Sequence, residues 1–244
     1  MNDIGFDERA WGLALDHLII AVPDLEHAPL AFADAYKVEI SGGGVHPRHG
    51  TANKLALLNG HYLEFLTVRD ADVAQDGWLG MAATRAISTS EPLMTWAIRT
   101  TDLARTREYF EAAIGDLPPV EPGERLTDSG NRISWRIQHL YELSTPVGDR
   151  VPLPFFIEWE DPATQPGAAG AAIAPHSCVT QIVIGASGSD ARTAAAIAVL
   201  GKLSFVRVEH SLSPGVHSVT LETPTATGSV TDDRVVGLWD NNER

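Results

Sequence analysis

The most constraining feature of this sequence is an internal echo. LMTWAIRTTDL, starting at Leu93, lies over LDHLIIAVPDL, starting at Leu15, without a gap, and matches Asp102 to Asp24. A looser echo, VTQIVIGA, starts at Val179. A repeat of about 80 residues is too long for a solenoid and points to duplicated modules. Such modules with paired sheets would enclose a cavity at their junction, a favoured place for ligands.

Each unit opens on an apolar, β-branched strand followed by a helix. In the first unit Leu15–Val22 is the strand, and Pro23-Asp24 ends it. Either Asp24 caps the helix, or the helix starts later with Pro29 in its first turn. Leu25, Ala28, Phe32 and Tyr36 recur at helical spacing. Lys37–Ser41 reads as a short strand, and GGGVHPRHGT as a loop. Two further strands, Asn53–Leu58 and Tyr62–Val68, join through Asn59-Gly60, a hairpin signal. The order is β-α-β-β-β.

The second unit repeats it. Asp102 caps the helix LARTREYFEAAI, Gly115 stops it, and strands follow near 119–124, 132–140 and 154–159. The predicted organisation is an N-terminal extension over 1–14, a first module over 15–70 and a helical bridge over 71–91. A second module over 92–162, a linker over 163–177, a partial third module over 178–223 and an acidic tail over 224–244 complete it. Trp11 and Leu13 are expected to pin the extension to the body. The fold class is α+β: paired βαβββ modules forming a cupped mixed β-sheet with helices on the outer face, plus a partial third βαββ unit.

Composition narrows the partners. The 244 residues are 44% hydrophobic, enough for a sizeable core. No run approaches a membrane-spanning length, and the acidic start lacks a signal-peptide core. One cysteine, Cys178, allows no internal disulfide, so a cytoplasmic location is expected. Eighteen Lys and Arg against 32 Asp and Glu leave a formal charge of -14, which repels phosphate backbones and anionic lipid. Neither nucleic acid nor membrane is expected as a partner. No dinucleotide fingerprint, GxSxG elbow or kinase motif occurs, so no nucleotide cofactor is expected.

The chemistry lies in strand positions. If Leu18, Ile20 and Val22 face the helix, His17 faces the cup. Glu64, between Leu63 and Phe65, and Glu158, between Ile157 and Trp159, are costly to bury without a partner. A metal, an arginine or cavity water must compensate them. One His and two carboxylates suit a divalent ion such as Zn, Mn, Fe or Ni. A hydrogen-bonded core histidine with glutamates paired to Arg132, Arg136 or Arg69 accounts for the same residues. In the Gly42–Thr51 loop, His46, Arg48, His49 and Thr51 are candidates for holding a substrate anion, and Asn53 for a substrate carbonyl. Glycines serving only turn geometry explain that loop equally well. Trp96 and Trp135 are candidate pocket walls, or simply core.

The segments LDHLIIAVPDL, HPRHGTANKLALL and GHYLEFLTV resemble the vicinal oxygen chelate superfamily, which includes glyoxalase I, extradiol dioxygenases and resistance proteins. The pattern HPxxGTxN is similar to that of its glyoxalase-like domain family. The resemblance implies metal ligands on the first and last strand of each module, at His17, Glu64, Thr95 and Glu158, with Thr95 a departure from the usual His or Gln. His17, Glu64 and Glu158 would then hold one divalent ion, with Glu64 or Glu158 alternatively the general base. Gln181 matches His17 in the third unit. The implied function is metal-assisted lyase or isomerase chemistry on a small molecule with vicinal oxygens. The alternatives are non-catalytic sequestration of a small molecule and, third, an extradiol dioxygenase. A homodimer is in keeping with the superfamily.

Overall fold

A computed structural model describes residues 6–126, 132–141 and 153–239. Its main element is an eight-stranded sheet made by two modules. The first comprises β1 (Ala14–Ala21), α1 (Ala28–Tyr36), β2 (Ile40–His46), β3 (Thr51–Leu58) and β4 (His61–Val68). A bridge carries α2 (Ala71–Ala74) and α3 (Trp78–Ser88). The second module comprises β5 (Leu93–Arg99), α4 (Leu103–Ile114), β6 (Glu121–Leu126), β7 (Arg132–His139) and β8 (Phe155–Trp159). The strand order β2-β3-β4-β1-β5-β8-β7-β6 has a pseudo-dyad at the β1/β5 seam, where the two opening strands pair antiparallel. Each module closes its last strand parallel to its first.

Local chemistry explains the helix boundaries. Asp24 does not cap α1; its Oδ1 accepts from the amides of Glu26 and His27, and Pro29 sits in the first turn. Asp102 caps α4 through the Arg105 amide at 3.0 Å, and Gly115 ends the helix at φ 84°. The Asn59-Gly60 hairpin forms between β3 and β4.

Three expectations need correction. The glycine loop is an edge strand: β2 runs through Gly42, Gly43 and Gly44 and reaches His46 opposite Thr51. Gly42 (φ 53°) and Gly43 (φ 133°) form a bulge, and a Cβ on Gly43 would lie 2.3 Å from the Asn53 carbonyl oxygen. The linker is largely helix, α5 (Pro166–Ile173), whose backbone rests on the β3–β4 hairpin. Third, residues 178–239 form more than a shortened module. They contain β9 (Cys178–Gly185), α6 (Ala191–Leu200), β10 (Val206–Glu209), β11 (Gly215–Thr223), β12 (Ala226–Thr231) and α7 (Asp232–Trp239). The order β10-β9-β11-β12 places the strand after the helix directly beside the opening strand, unlike the first two modules.

The sheet has two unlike faces. On the outer face Leu18, Ile20, Phe65, Trp96 and Ile98 share one core with α1, α4, α6 and the four-stranded sheet. Trp11 and Leu13 are buried in it, and Trp11 packs on Tyr109 at 4.7 Å. On the inner face Ile19, Leu66, Ala97, Phe155, Ile157 and Trp159 form a second core, covered by Trp78, Leu79 and Ala83 of α3. The bridge therefore fills much of the cup. Gly80 makes this possible, because a Cβ there would lie 2.5 Å from the carbonyl oxygens of both Ala74 and His49. Among the described residues no helix is long and apolar enough to cross a membrane.

The seat of α5 predicts an asymmetry between glycines. A Cβ on Gly170 would lie 2.0 Å from the Leu58 carbonyl oxygen, whereas one on Gly237 in α7 meets nothing within 4 Å. Gly170→Ala is expected to destabilise by about 1–3 kcal/mol. Gly237→Ala is expected to stabilise by roughly 0.5–1 kcal/mol through its helix propensity. Urea unfolding midpoints check both, and an unchanged midpoint for Gly170→Ala would mean α5 does not sit on the hairpin.

Candidate functional site

The inner face gathers most of the predicted residues around Glu64. Paired residues on adjacent strands share a face. Asn53 stands opposite Leu66, His46 opposite Thr51, and Thr51 opposite Val68, so all point inward with Glu64. His17 stands opposite Ala97 of β5 and joins them.

Hydrogen bonds and longer polar contacts link these side chains. Asn53 Nδ2 donates to Glu64 Oε1 at 2.7 Å. His17 Nε2 lies 3.7 Å from Glu64 Oε2, and His46 Nε2 lies 4.0 Å from Oε1. His46 Nδ1 meets Thr51 Oγ1 at 3.0 Å. On its other side His17 Nδ1 lies 2.7 Å from Asp16 Oδ1. A carboxylate can only accept, so Nδ1 carries a proton and Nε2 is the nitrogen facing Glu64. Asp16 Oδ2 accepts from Trp159 Nε1 at 2.9 Å. The His17 ring stacks on Tyr62 at 4.7 Å and meets the edge of Phe155 at 5.5 Å. Asp16, His17 and Glu64 are 0%, 4% and 6% exposed, so these three groups are withdrawn from bulk water.

Asp16 was not visible as a site residue in the sequence. Strict alternation would aim it at the outer face. The β1/β5 register slips between Leu15 and His17, and this bulge turns the Asp16 carboxylate towards the inner-face groups His17 and Trp159. Nothing in LDHLIIAV signals such a bulge. The sequence groups His46 with the candidate anion-holding loop Gly42–Thr51; the glycine bulge instead extends β2 and brings its imidazole to 4.0 Å from Glu64.

Other predicted residues lie elsewhere. Glu158 sits on the outer face, between inward-facing Ile157 and Trp159. Its carboxylate pairs with Arg136 and accepts from the Leu103 amide at the start of α4 at 3.2 Å. It supports that helix and does not reach Glu64. Trp96 is outer-face core, edge-on to Phe205 at 6.2 Å. Gln181 belongs to β9, in the sheet behind the outer face. Arg48 is exposed in the turn after β2. Trp135 does face inward and packs on Trp159 at 5.2 Å. Thr95 also faces inward, opposite Ile19, and its buried Oγ1 has no hydrogen-bond partner among the described residues.

Burial lowers the pKa of two imidazoles away from Glu64. His49 packs on Trp78, and burial, with His46 and Arg48 nearby, lowers its pKa. His139, wholly buried opposite Phe155, is pushed down to about 4 by burial alone.

The ligand set His17, Glu64 and Glu158 is not assembled, because Glu158 lies across the sheet. His46 brings a second imidazole near Glu64, yet the described residues contain no group of three His, Cys, Asp or Glu spaced to hold an ion. The arrangement supplies instead a buried carboxylate between imidazoles, fitted to hold and move a proton.

Among curated proteins none matches this chain. Solved structures similar to it include a hypothetical protein from Staphylococcus aureus, at 16% identity and TM-score 0.57 over 90% of this chain and 86% of that one. Methylmalonyl-CoA epimerase from Mycobacterium tuberculosis is similar over 59% of this chain and 85% of its own, at 16% identity and TM-score 0.37. A Streptomyces coelicolor methylmalonyl-CoA epimerase reaches 18% identity and TM-score 0.39 over 59% and 93%. The sequence model of the glyoxalase-like domain family matches residues 15–200. With its paired modules, its HPxxGTxN segment and that match, the chain belongs to the glyoxalase-like domain family.

Proposed function

We propose that this protein acts on a small oxygen-bearing molecule at the inner face and performs lyase or isomerase chemistry there, with Glu64 as the proton-transfer group. The observation that carries this is the buried chain Trp159–Asp16–His17–Glu64–Asn53. Asn53 occupies one carboxylate oxygen and leaves Oε2 free to take a proton from a carbon beside a substrate carbonyl. His17, fixed in its tautomer by Asp16, presents an unprotonated Nε2 3.7 Å from that same oxygen, placed to receive the proton after Glu64 has taken it up, with Asp16 balancing the imidazolium that results. The Asn53 amide and the low local dielectric keep the geometry fixed without reorganisation. The experiment is incubation with a panel of 1,2-dicarbonyl and α-hydroxycarbonyl compounds, followed by NMR. Isomerised or cleaved product from at least one class is expected; an inert panel together with tight ligand binding contradicts catalysis.

That second outcome is the sequestration reading. It is favoured by the aromatic composition of the inner face, where Trp78, Trp135, Trp159 and Phe155 cluster. No step above runs through a metal, since the donors among the described residues do not converge in threes. Elemental analysis of protein purified without chelator, beside His17→Ala, checks this. Substoichiometric Zn, Ni, Mn and Fe in both is expected; one equivalent in the parent, lost in the variant, contradicts it.

A further inference from the structure

Where the paired modules should leave a ligand cavity, the Trp78 indole stands. It meets His139 edge-on at 4.9 Å, Phe155 at 5.9 Å and His49 at 6.1 Å. Phe155 in turn touches the His17 ring, so the indole lies one ring away from the proton-transfer cluster.

The surroundings of this indole are chemically mismatched to it. His139 is wholly buried, and neither of its ring nitrogens has a hydrogen-bond partner among the described residues. His49 Nδ1 is buried and unpartnered in the same way. Buried polar atoms are nearly always paired, and an unpaired one is a persistent penalty. Here such atoms surround an apolar wedge. The wedge is also held at a weak point. Trp78 is the first residue of α3, whose N-cap, Gly77, offers no side-chain cap, and the indole is only partly buried.

We infer that Trp78 occupies the ligand's own space, and that His139 is a ligand-binding residue for a planar, aromatic small molecule carrying a hydroxyl or carbonyl oxygen. Such a molecule keeps the ring contacts that Trp78 makes with Phe155 and His139. It also pairs the imidazole that the indole leaves unsatisfied. A neutral imidazole can donate from one nitrogen and accept at the other, so it suits a phenolic hydroxyl. This inference rests on the inner face being the ligand face. It adds the ligand's shape class and a binding residue beyond the Glu64 cluster.

Phenol and toluene test it, since they share a ring and differ by the hydroxyl. Trp78→Ala opens the space. Thermal shift and NMR titration of that variant are expected to show saturable phenol binding, about tenfold tighter than toluene. Adding His139→Phe is expected to abolish the preference while toluene still binds. In the parent protein, phenol is expected to displace the partly buried indole and so move the His139 side-chain nitrogen shifts, a readout that does not depend on Trp78→Ala folding. Equal binding of phenol and toluene, a preference that survives His139→Phe, or unmoved His139 shifts overturns the inference. Glu64→Gln separates the two readings, because it should keep the phenol preference while losing turnover. Turnover in a protein without the preference overturns this inference alone; the preference in a protein without turnover overturns proton transfer alone.

Discussion

Acidification from pH 7 to about 4 is expected to remove a large part of this protein's stability, through His61 and His139. Both imidazoles have folded-state pKa values lowered from 6.5 to about 4, with burial the leading cause; for His61 the Arg99 guanidinium adds to it. The sign follows from the depression. Above pH 6.5 both states are neutral and nothing is lost. As pH falls below 6.5 the unfolded chain takes up protons that the fold refuses, and stability declines until the folded imidazoles titrate near 4. At about 1.4 kcal/mol per pH unit per site, each histidine contributes a loss on the order of 3 kcal/mol. Whole domains are stable by roughly 5–15 kcal/mol, so the pair is decisive. For His61 the reason is visible: its Nε2 accepts the Val179 amide proton at 2.7 Å, tying β4 to β9, and a protonated ring cannot accept. Urea midpoints between pH 7 and 5 isolate the effect from carboxylate titration. His139→Phe should flatten about half of the slope, and a flat profile in the parent contradicts the assignment.

Glu64→Gln is expected to lower turnover by about 10²–10⁴-fold, the usual contribution of a positioned acid–base group. Gln keeps the size of the side chain but cannot accept the substrate proton. Glu158→Gln should instead leave turnover within a few-fold and lower the melting temperature, since it weakens the contacts with Arg136 and the first turn of α4. The two glutamates looked equivalent in sequence, and this contrast in rate is the sharpest consequence of their lying on opposite faces. A larger rate loss in Glu158→Gln than in Glu64→Gln would reverse the assignment.

What could be read from sequence was the local and repeated part. The β1/β5 echo, the Asn59-Gly60 hairpin and the Asp102 cap each depend on a few neighbouring residues, and all appear as read. The errors came where tertiary packing decides. FFIEW is buried on both faces, so alternation could not set its phase; a one-residue slip moved Glu158 from cup to outer face. The Gly42–Gly44 run looked like a loop because bulged glycines do not advertise a strand. Glycine disfavours a helix interior, yet in the bridge Gly80 is the residue that lets α3 close over the cup. Of the site, His17 and Glu64 were legible as polar breaks in apolar strands, and Asn53 as a polar residue at the start of one. Asp16 and His139 were not, the first because of a bulge and the second because its isolation shows only in three dimensions.

The most direct test of the central claim is solvent-deuterium incorporation. The compound converted by the parent protein is incubated in D2O with the parent, Glu64→Gln and Glu158→Gln, and label on the carbon beside the carbonyl is followed by mass spectrometry. If Glu64 moves the proton at the inner face, label enters with the parent and with Glu158→Gln and fails to enter with Glu64→Gln. Label entering at the parent's rate with folded Glu64→Gln would contradict the account.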